Sequence, residues 1–382
     1  MVSGLRVERR SAADAFQPLR DDWNRLVDQS ARPTVFLSWD WLYAWWTHFG
    51  EGQALHLLVV RDTQGAVVGI GPFCIERTSG LWPARVLKFL GTKAVSSDYL
   101  DVLAASGLER EVSAAIMRAL REDRSSWDCA ELSDLLDDST ALRFLGGDAR
   151  ATRCAVAESP GEWCPYLPLS ATPEEYLVSV GRSKRSRLKR AKKAIEGIGC
   201  VYTTAESPDA LGSALEALFD LHARRWAARG LPGNLCEPAV RGFHHTLVRL
   251  LSPEGRIRIY TLEREGRAIA CDYVLQRGNT VYFYQTAFDP DPALEPYHPG
   301  YTLLAHCIED SVARGAREFD FLRGREEYKE RWTSSARETR TLTIVPSENT
   351  AALAMFRGGQ ALRWTKRNVK ALLSLGKHAC VA

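Results

Sequence analysis

The chain has 382 residues, which at roughly 100–200 residues per domain predicts two domains or three. Lys plus Arg number 50 and Asp plus Glu 47, a net charge of +3; this excludes a chain-wide nucleic-acid coat and leaves room only for a local basic patch. With 45% hydrophobic and 25% charged residues, the composition is that of a globular protein and excludes collagenous, disordered and disulfide-scaffold classes. No run approaches the ~18 uninterrupted apolar residues of a spanning helix. The opening MVSGLRVERR lacks an apolar segment and does not read as a secretory signal, so a cytoplasmic location is expected.

In chain order, a helix is predicted from Ala12 to Gln29 and a second from Ser38 to Phe49, with Ser38 as N-cap. Trp41, Trp45 and Trp46 on that helix read first as a core stripe and second as a sugar-stacking platform. Strands follow at Ala54–Arg61 and Val67–Glu76, joined through the turn Asp62-Thr63-Gln64-Gly65. Further strands are expected at Val86–Leu90, Tyr99–Leu103 and Trp127–Leu132, with a helix from Leu108 to Glu122. The Pro/Cys/Gly-rich stretch Ser159–Pro168 reads as a linker.

Beyond it, Thr172-Pro173-Glu174-Glu175 starts a helix with an N-cap, Pro at the first position and acids in the first turn; the basic segment 182–193 continues from it. Helices are expected at Ala210–Arg229, Pro238–Leu251 and Gly300–Arg314. Strands are expected at Ile257–Glu263, Ala268–Gln276, Thr280–Ala287, Glu318–Leu322 and Thr341–Val345, before a basic helical tail. Both halves run helices, meander, helix, strand, which suggests a duplicated α+β unit and two similar mixed sheets. The expected division is 1–160, 161–348 and a basic amphipathic tail, 349–382.

Nine cysteines form no CxxC pair, and His244-His245 lacks the i, i+4 spacing of two ligands on one helical face, so no metal site is expected. The cysteines read as small buried hydrophobes in a reducing compartment.

The most informative stretch is 268–324. Its Pro- and Asp-rich loop ends at His298-Pro299-Gly300, where a helix begins with free N–H groups, a place suited to an anion. An ordinary Pro-initiated helix is the plainer reading. Asp320 at a strand end either takes a proton from an amine or serves as a buried hydrogen-bonding residue paired with Arg323 or Arg225. Lys329 either stabilises an oxyanion or decorates the surface. Arg225, next to Trp226 in HARRWAARG, either clamps a phosphate or carboxylate or is a helix-surface Arg. The run 182–193 has eight cations and no acid, among them Arg185 and Arg187, and keeps Leu188, Ala191 and Ile195 on one face. Such a face suits a polyanion, either tRNA or a lipid-linked phosphate. The tail carries Arg357, Arg363, Lys366, Arg367, Lys370 and Lys377 and reads either as a membrane-surface helix at the inner membrane face or as a segment packed on the second domain.

Several of these segments resemble one family. The order of elements in 268–324 looks like the core of GNAT acyltransferases. FDFLRGREEYKERW (319–332), HARRWAARG (222–230), HPGYTLL (298–304), SKRSRLKRAKK (183–193), FLSWDWLYAWW (36–46) and SDYLDVL (97–103) together resemble the CelD/BcsL-type GNAT proteins, which carry a BioF-like acetyltransferase domain and are relatives of the FemAB aminoacyl transferases. The likeness runs to about Val345. The Gln/Arg-x-x-Gly-x-Gly/Ala donor loop of typical GNAT enzymes is absent, with His298-Pro299-Gly300 at that place.

The resemblance implies a mixed α/β (α+β) fold of two tandem GNAT-like domains in a FemAB-like arrangement. It implies an acyltransferase of the 2.3.1 type that uses acyl-CoA, acetyl-CoA first, and no metal. His298, Pro299, Gly300 and Tyr301 would hold the donor. Asp320, Tyr328 and Lys329 would carry catalysis, with Tyr328 as proton donor to the leaving group. Arg225, Trp226, Asp98, Tyr99, Arg185 and Arg187 would bind substrate, a small molecule or glycan of envelope or exopolysaccharide synthesis. The rivals are an aminoacyl-tRNA-dependent transferase, favoured by the basic run, and a non-catalytic partner of a polysaccharide synthase, favoured by the missing donor loop.

Overall fold

The computed structural model describes residues 4–79, 83–92, 95–231 and 233–358, with the backbone alone at Leu177. The first half runs β1 (Arg6–Arg10), α1 (Arg20–Gln29), α2 (Trp39–Phe49), β2 (Gln53–Arg61), β3 (Val67–Arg77), β4 (Arg85–Phe89), a two-residue β5 (Leu103–Ala104), α3 (Glu109–Glu122), β6 (Cys129–Leu135) and α4 (Gly146–Ala151). There follow β7 (Cys154–Pro168), α5 (Pro173–Ser179), α6 (Arg182–Gly197), β8 (Cys200–Ala205), α7 (Pro208–Ala227), α8 (Pro238–Leu251), β9 (Ile257–Arg264), β10 (Arg267–Arg277), β11 (Thr280–Phe288), α9 (Pro299–Ala313), β12 (Glu318–Asp320), α10 (Glu327–Glu330) and β13 (Ala336–Pro346).

Local chemistry fixes the helix ends. The Ser38 side chain accepts from Trp41 N, and Thr172 accepts from Glu175 N ahead of Pro173. The first predicted helix instead begins as a 3-10 turn, Ala13–Leu19, with Pro18 inside it; Pro cannot donate into an α-helical ladder. The basic run does not continue α5. Gly181, at φ 77°, breaks the chain between α5 and α6, a conformation that costs other residues. The expected strand Tyr99–Leu103 shrinks to β5, because Tyr99 sits at φ 59° and turns the backbone out of any ladder. Two strands, β1 and β8, were not anticipated; both are edge strands with weak apolar patterning.

Each half is a four-stranded antiparallel meander, then a helical crossover, then a strand parallel to the meander's last. In the first half these are β1–β4, α3 and β6; in the second, β8–β11, α9 and β12. The expectation of two separate sheets is corrected: the strands follow one path, β1-β2-β3-β4-β6-β13-β7-β12-β11-β10-β9-β8. The expected linker at 159–168 lies within β7. This strand leaves the first half and pairs with β12 of the second, while β13 leaves the second and pairs with β6 of the first. β7 and β13 pair with each other along the middle. The division expected at 160/161 therefore falls inside a paired strand. The long ladder also satisfies backbone groups on both sides of three prolines in β7. The tail from 359 onward lies outside the described residues; 350–358 begins a helix.

The core is shared between the halves. Trp39, Trp41 and Trp45 of α2 are buried, and the Trp41 ring meets Phe243 of α8 edge-on at 4.9 Å. Of the expected stripe, Trp41 and Trp45 are core, and Trp46 is half-buried and packed against it. Polar groups close the seam below it. The Arg323 guanidinium binds Asp98 (Nε to Oδ1, 2.7 Å) and Asp134 (Nη2 to Oδ1, 2.9 Å) and donates to Ser97 O. Tyr99 OH donates to Asp320, which also takes Arg337 Nη1 at 2.9 Å and Leu322 N at 2.8 Å.

Removing the cation from a buried ion network leaves its carboxylates uncompensated, which costs about 3–5 kcal/mol. Arg323→Met is expected to lower the unfolding free energy by that order in urea titration. A loss within the ±0.5 kcal/mol of an ordinary surface change would mean the seam does not hold the halves together.

Candidate functional site

β11 and β12 pair only from Thr280–Tyr282 to Glu318–Asp320. Past Tyr282 the edge of β11 that faced β12 is left open while β10 still pairs its other edge, and a cleft of about 590 Å³ lies against Phe283, Thr286 and Phe288 there. This volume falls in the range of small-molecule sites. The other walls come from the loop after β11, the start of α9, Arg187 of α6, Arg225 of α7, and Tyr328, Arg331 and Trp332 at and after α10.

The loop 289–298 is stiffened by its own polar groups: Asp291 accepts from Ala293 N, and a 3-10 turn follows at Glu295–Tyr297. His298 takes a left-handed conformation, φ 50°, and its carbonyl accepts from both Tyr301 N and Thr302 N. The several free donors expected at this helix start therefore reduce to one. Pro299 has no N–H, those of Tyr301 and Thr302 are engaged by His298 O, and among the described residues the Gly300 N–H has no partner. A Cβ at Gly300 would lie 3.1 Å from Phe288 Cδ1, so a bulkier residue there pushes on the ring that supports Arg225.

Arg225 stacks over Phe288, 4.2 Å from the ring centre. Its Nε is buried without a partner, and burial, then the charge of Arg229, press its pKa down. Arg187 lies 5.8 Å from the Tyr301 ring, and Lys184 4.2 Å from Trp332. Neither Arg187 nor Arg225 has a carboxylate partner among the described residues, whereas Asp289 on the same lip is already bound to Arg224 at 2.7 Å. A desolvated guanidinium without a counter-ion is costly unless an anion completes it. The cleft thus presents Arg187 and Arg225, without a carboxylate partner among the described residues, together with the Gly300 N–H.

Seven of the residues singled out in the sequence meet here: Arg187, Arg225, His298, Pro299, Gly300, Tyr301 and Tyr328. Six do not. Trp226 faces away from Arg225, as consecutive helical residues do, and packs beside His222 and Arg229. Arg185 is exposed on α6, outside the cleft lining. Asp98, Tyr99 and Asp320 are bound to the seam, on the inside of the molecule. Lys329 is 4% exposed and turns inward, with Nζ donating to Arg323 O at 2.6 Å and pairing with Glu326 at 2.9 Å. It thereby fixes the turn after β12 and does not enter the cleft. Phe288, Thr286, Arg331 and Trp332 were not picked out as site residues. Trp332 ends the 319–332 motif, and the Pro/Asp loop flags Phe288; Thr286 leaves no signal in an apolar strand.

Residues 182–330 match the family described as an acetyltransferase (GNAT) domain. No curated protein matches the chain. Among solved structures, FemX is similar over 85% of this chain and 95% of its own, at 10% identity and a TM-score of 0.61. The C-terminal domain of a putative lysylphosphatidylglycerol synthetase from Agrobacterium fabrum covers 90% of this chain and 95% of its own, at 10% identity and 0.53. L-PGS from Bacillus licheniformis covers 83% and 95%, at 11% identity and 0.50. The fold is thus a mixed α/β GNAT-like fold, and the second half carries a GNAT acyltransferase-like domain. Among the described residues no helix is long and apolar enough to cross a membrane, and no cluster of His, Cys, Asp and Glu is suited to a metal.

Lys329→Met strips the donor from the carbonyls of Leu322 and Arg323, at about 1–3 kcal/mol for buried groups left unsatisfied. Its melting temperature is expected to fall while ligand affinity at the cleft stays within twofold. An unshifted melting curve together with a large loss of turnover would instead put this Lys in the chemistry.

Proposed function

We propose that the chain is an acyltransferase that binds a phosphate-bearing acyl donor in the β11/β12 cleft and passes the acyl group directly to an amine or hydroxyl. The observation that carries this reading is the Arg225 guanidinium, desolvated, unpaired and held over Phe288 beside the lone N–H of Gly300. Acyl-CoA, with acetyl-CoA first, is the donor this site suits. Arg225, Arg187 and Gly300 N–H would bind its phosphates, and the apolar Phe283, Leu304 and Phe288 would line its thioester arm. Tyr328, on the opposite wall, is kept protonated because burial raises its pKa, so it can donate a hydrogen bond to a departing sulfur. Rate enhancement would rest on positioning and on polar groups fixed before the reaction begins. We place the acceptor among envelope or exopolysaccharide intermediates, as for CelD/BcsL-type proteins.

A second reading draws on α6. Arg182, Arg185, Lys189, Arg190 and Lys193 are exposed and extend the cationic wall outward from Arg187, as a polyanionic donor such as aminoacyl-tRNA would require. FemX and the lysylphosphatidylglycerol synthetases share the fold, which keeps this donor in view. Calorimetric titration separates the two. Acetyl-CoA is expected to bind with little salt dependence beyond its own phosphates, and Arg225→Ala to weaken it roughly tenfold to a hundredfold, the worth of a hydrogen bond to a charged group. Binding of aminoacyl-tRNA instead, with a steep salt slope that flattens when Arg185, Arg187, Lys189 and Arg190 become Gln, would favour the second reading. If neither donor binds, the chain has no transferase site at this cleft and the role of a non-catalytic partner to a polysaccharide synthase gains.

A further inference from the structure

A carboxylate lies under the cleft floor. Asp272 of β10 stands opposite Thr286 of β11 in the antiparallel register, and the Thr286 hydroxyl donates to Asp272 Oδ1 at 2.7 Å. Asp272 is 0% exposed, and its Oδ2 has no hydrogen-bond partner. Thr286 lines the cleft. Because its proton is committed to Asp272, its lone pairs are left for the cleft side.

Among the described residues no cation pairs with Asp272; Arg258 of β9 reaches Cys307 and is bound to Gln276, and Arg225 lies beyond Tyr328. Tyr260 faces Asp272 from β9, but its hydroxyl is spent on Asp310 at 2.7 Å. Cys307 from α9, Tyr328 from α10 and Cys271 on the same strand complete the titratable neighbours. Burial, opposed by the Thr286 hydrogen bond, leaves the Asp272 carboxyl raised to about 7. An Asn could accept the same bond without the cost of desolvating a charge. A strand interior that carries this cost beside a cleft is where a proton acceptor near neutrality is expected. Asp320 is also pushed to about 7, but it is bound at the seam and has no route to the cleft.

We propose that Thr286 and Asp272 form a proton-accepting relay for the acceptor, with Thr286 the catalytic residue that touches the attacking atom and Asp272 the positioning residue behind it. The relay rests on the acyl-transfer reading. As the acceptor nitrogen or oxygen forms its bond to the acyl carbon, the carbon–sulfur bond of the donor breaks. The proton shed by the acceptor goes to Thr286 Oγ, and the hydroxyl proton of Thr286 goes to Asp272 Oδ1. The thiolate leaves hydrogen-bonded to Tyr328 and takes its proton from water. After product release the relay returns its proton to water by the reverse path. Only the ionised Asp272 accepts, so the rate should rise with pH through about 7 and level off above it.

The test follows thiol release from acetyl-CoA, with water alone and with ethanolamine as acceptor, from pH 5.5 to 9 in the full-length protein, roughly spanning the expected inflection. Thr286→Val and Asp272→Asn are expected to slow release about a hundredfold or more, the usual contribution of a positioned base, and to lose the rise near neutrality. Acetyl-CoA affinity by calorimetry should stay within threefold. Thr286→Ser, which keeps the hydroxyl, should recover both most of the rate and the pH limb. A Thr286→Val protein that keeps the wild-type profile, or a Thr286→Ser protein as slow as the Val variant, would overturn the relay alone. Failure of acetyl-CoA to bind the wild-type protein would overturn the reading beneath it.

Discussion

The guanidinium of Arg323 reaches from the second half of the chain into two buried carboxylates of the first, Asp98 and Asp134. Asp98 is 1% and Asp134 11% exposed at the side chain, too dry to stay charged without it. Burial raises the Asp98 carboxyl, Arg323 opposes it, and the balance lies at about 6. Beside it, Tyr99 and Arg337 converge on Asp320. Four non-glycine residues around this knot, Ser96, Tyr99, Asp134 and Leu322, hold left-handed backbone, at about 1–2 kcal/mol each. Such conformations persist only where the surroundings over-determine them. The knot does so, and in turn it dictates where β12 ends.

That ending creates the cleft. β12 is three residues long because its last residue, Asp320, is drawn into the seam and Leu322 turns away in a left-handed bend. Beyond Tyr282 β11 keeps β10 on one side and, among the described residues, has no strand on the other, and Phe283, Thr286 and Phe288 become a wall. Lys329, by holding the carbonyls of Leu322 and Arg323, carries the chain round so that Tyr328 and Trp332 close the other side. The exchanged strands β7 and β13 brace the same point at the middle of the sheet. The seam and the cleft are thus two faces of one turn, which explains why residues adjacent in sequence, Tyr328 and Lys329, serve them separately.

Most elements were legible because their signals are local. Ser38 and Thr172 mark helix starts, Asp62–Gly65 a hairpin, and the apolar alternation of β9–β11 a meander. What escaped depends on distant partners. A stretch with Pro160, Pro165 and Pro168 reads as a linker until β13, some 180 residues later in the chain, is seen to pair with it. The motifs 97–103 and 319–332 were singled out separately, and the structure binds them to each other through Arg323–Asp98 and Tyr99–Asp320. Of the two roles open to Asp320 the structure shows the buried hydrogen-bonding one, and it holds Asp98 and Tyr99 in the same seam; a carboxylate at a strand end looks alike in a cleft and in a seam. The loop at 289–300 and Arg225 were recognisable by residue type. The Asp272–Thr286 pair was not, although an Asp inside the apolar run IACDYVL is the signal that could have found it.

The central claim is that ligand chemistry belongs to the β11/α9 cleft and that the first-half motif belongs to the seam. Hydrogen exchange of the full-length protein with and without acetyl-CoA tests this directly. The account predicts added protection in 283–304, in the start of α6 and in 327–332, with exchange at 97–104 unchanged. Protection at 97–104 with none in 283–304 would place the donor in the first half and contradict it.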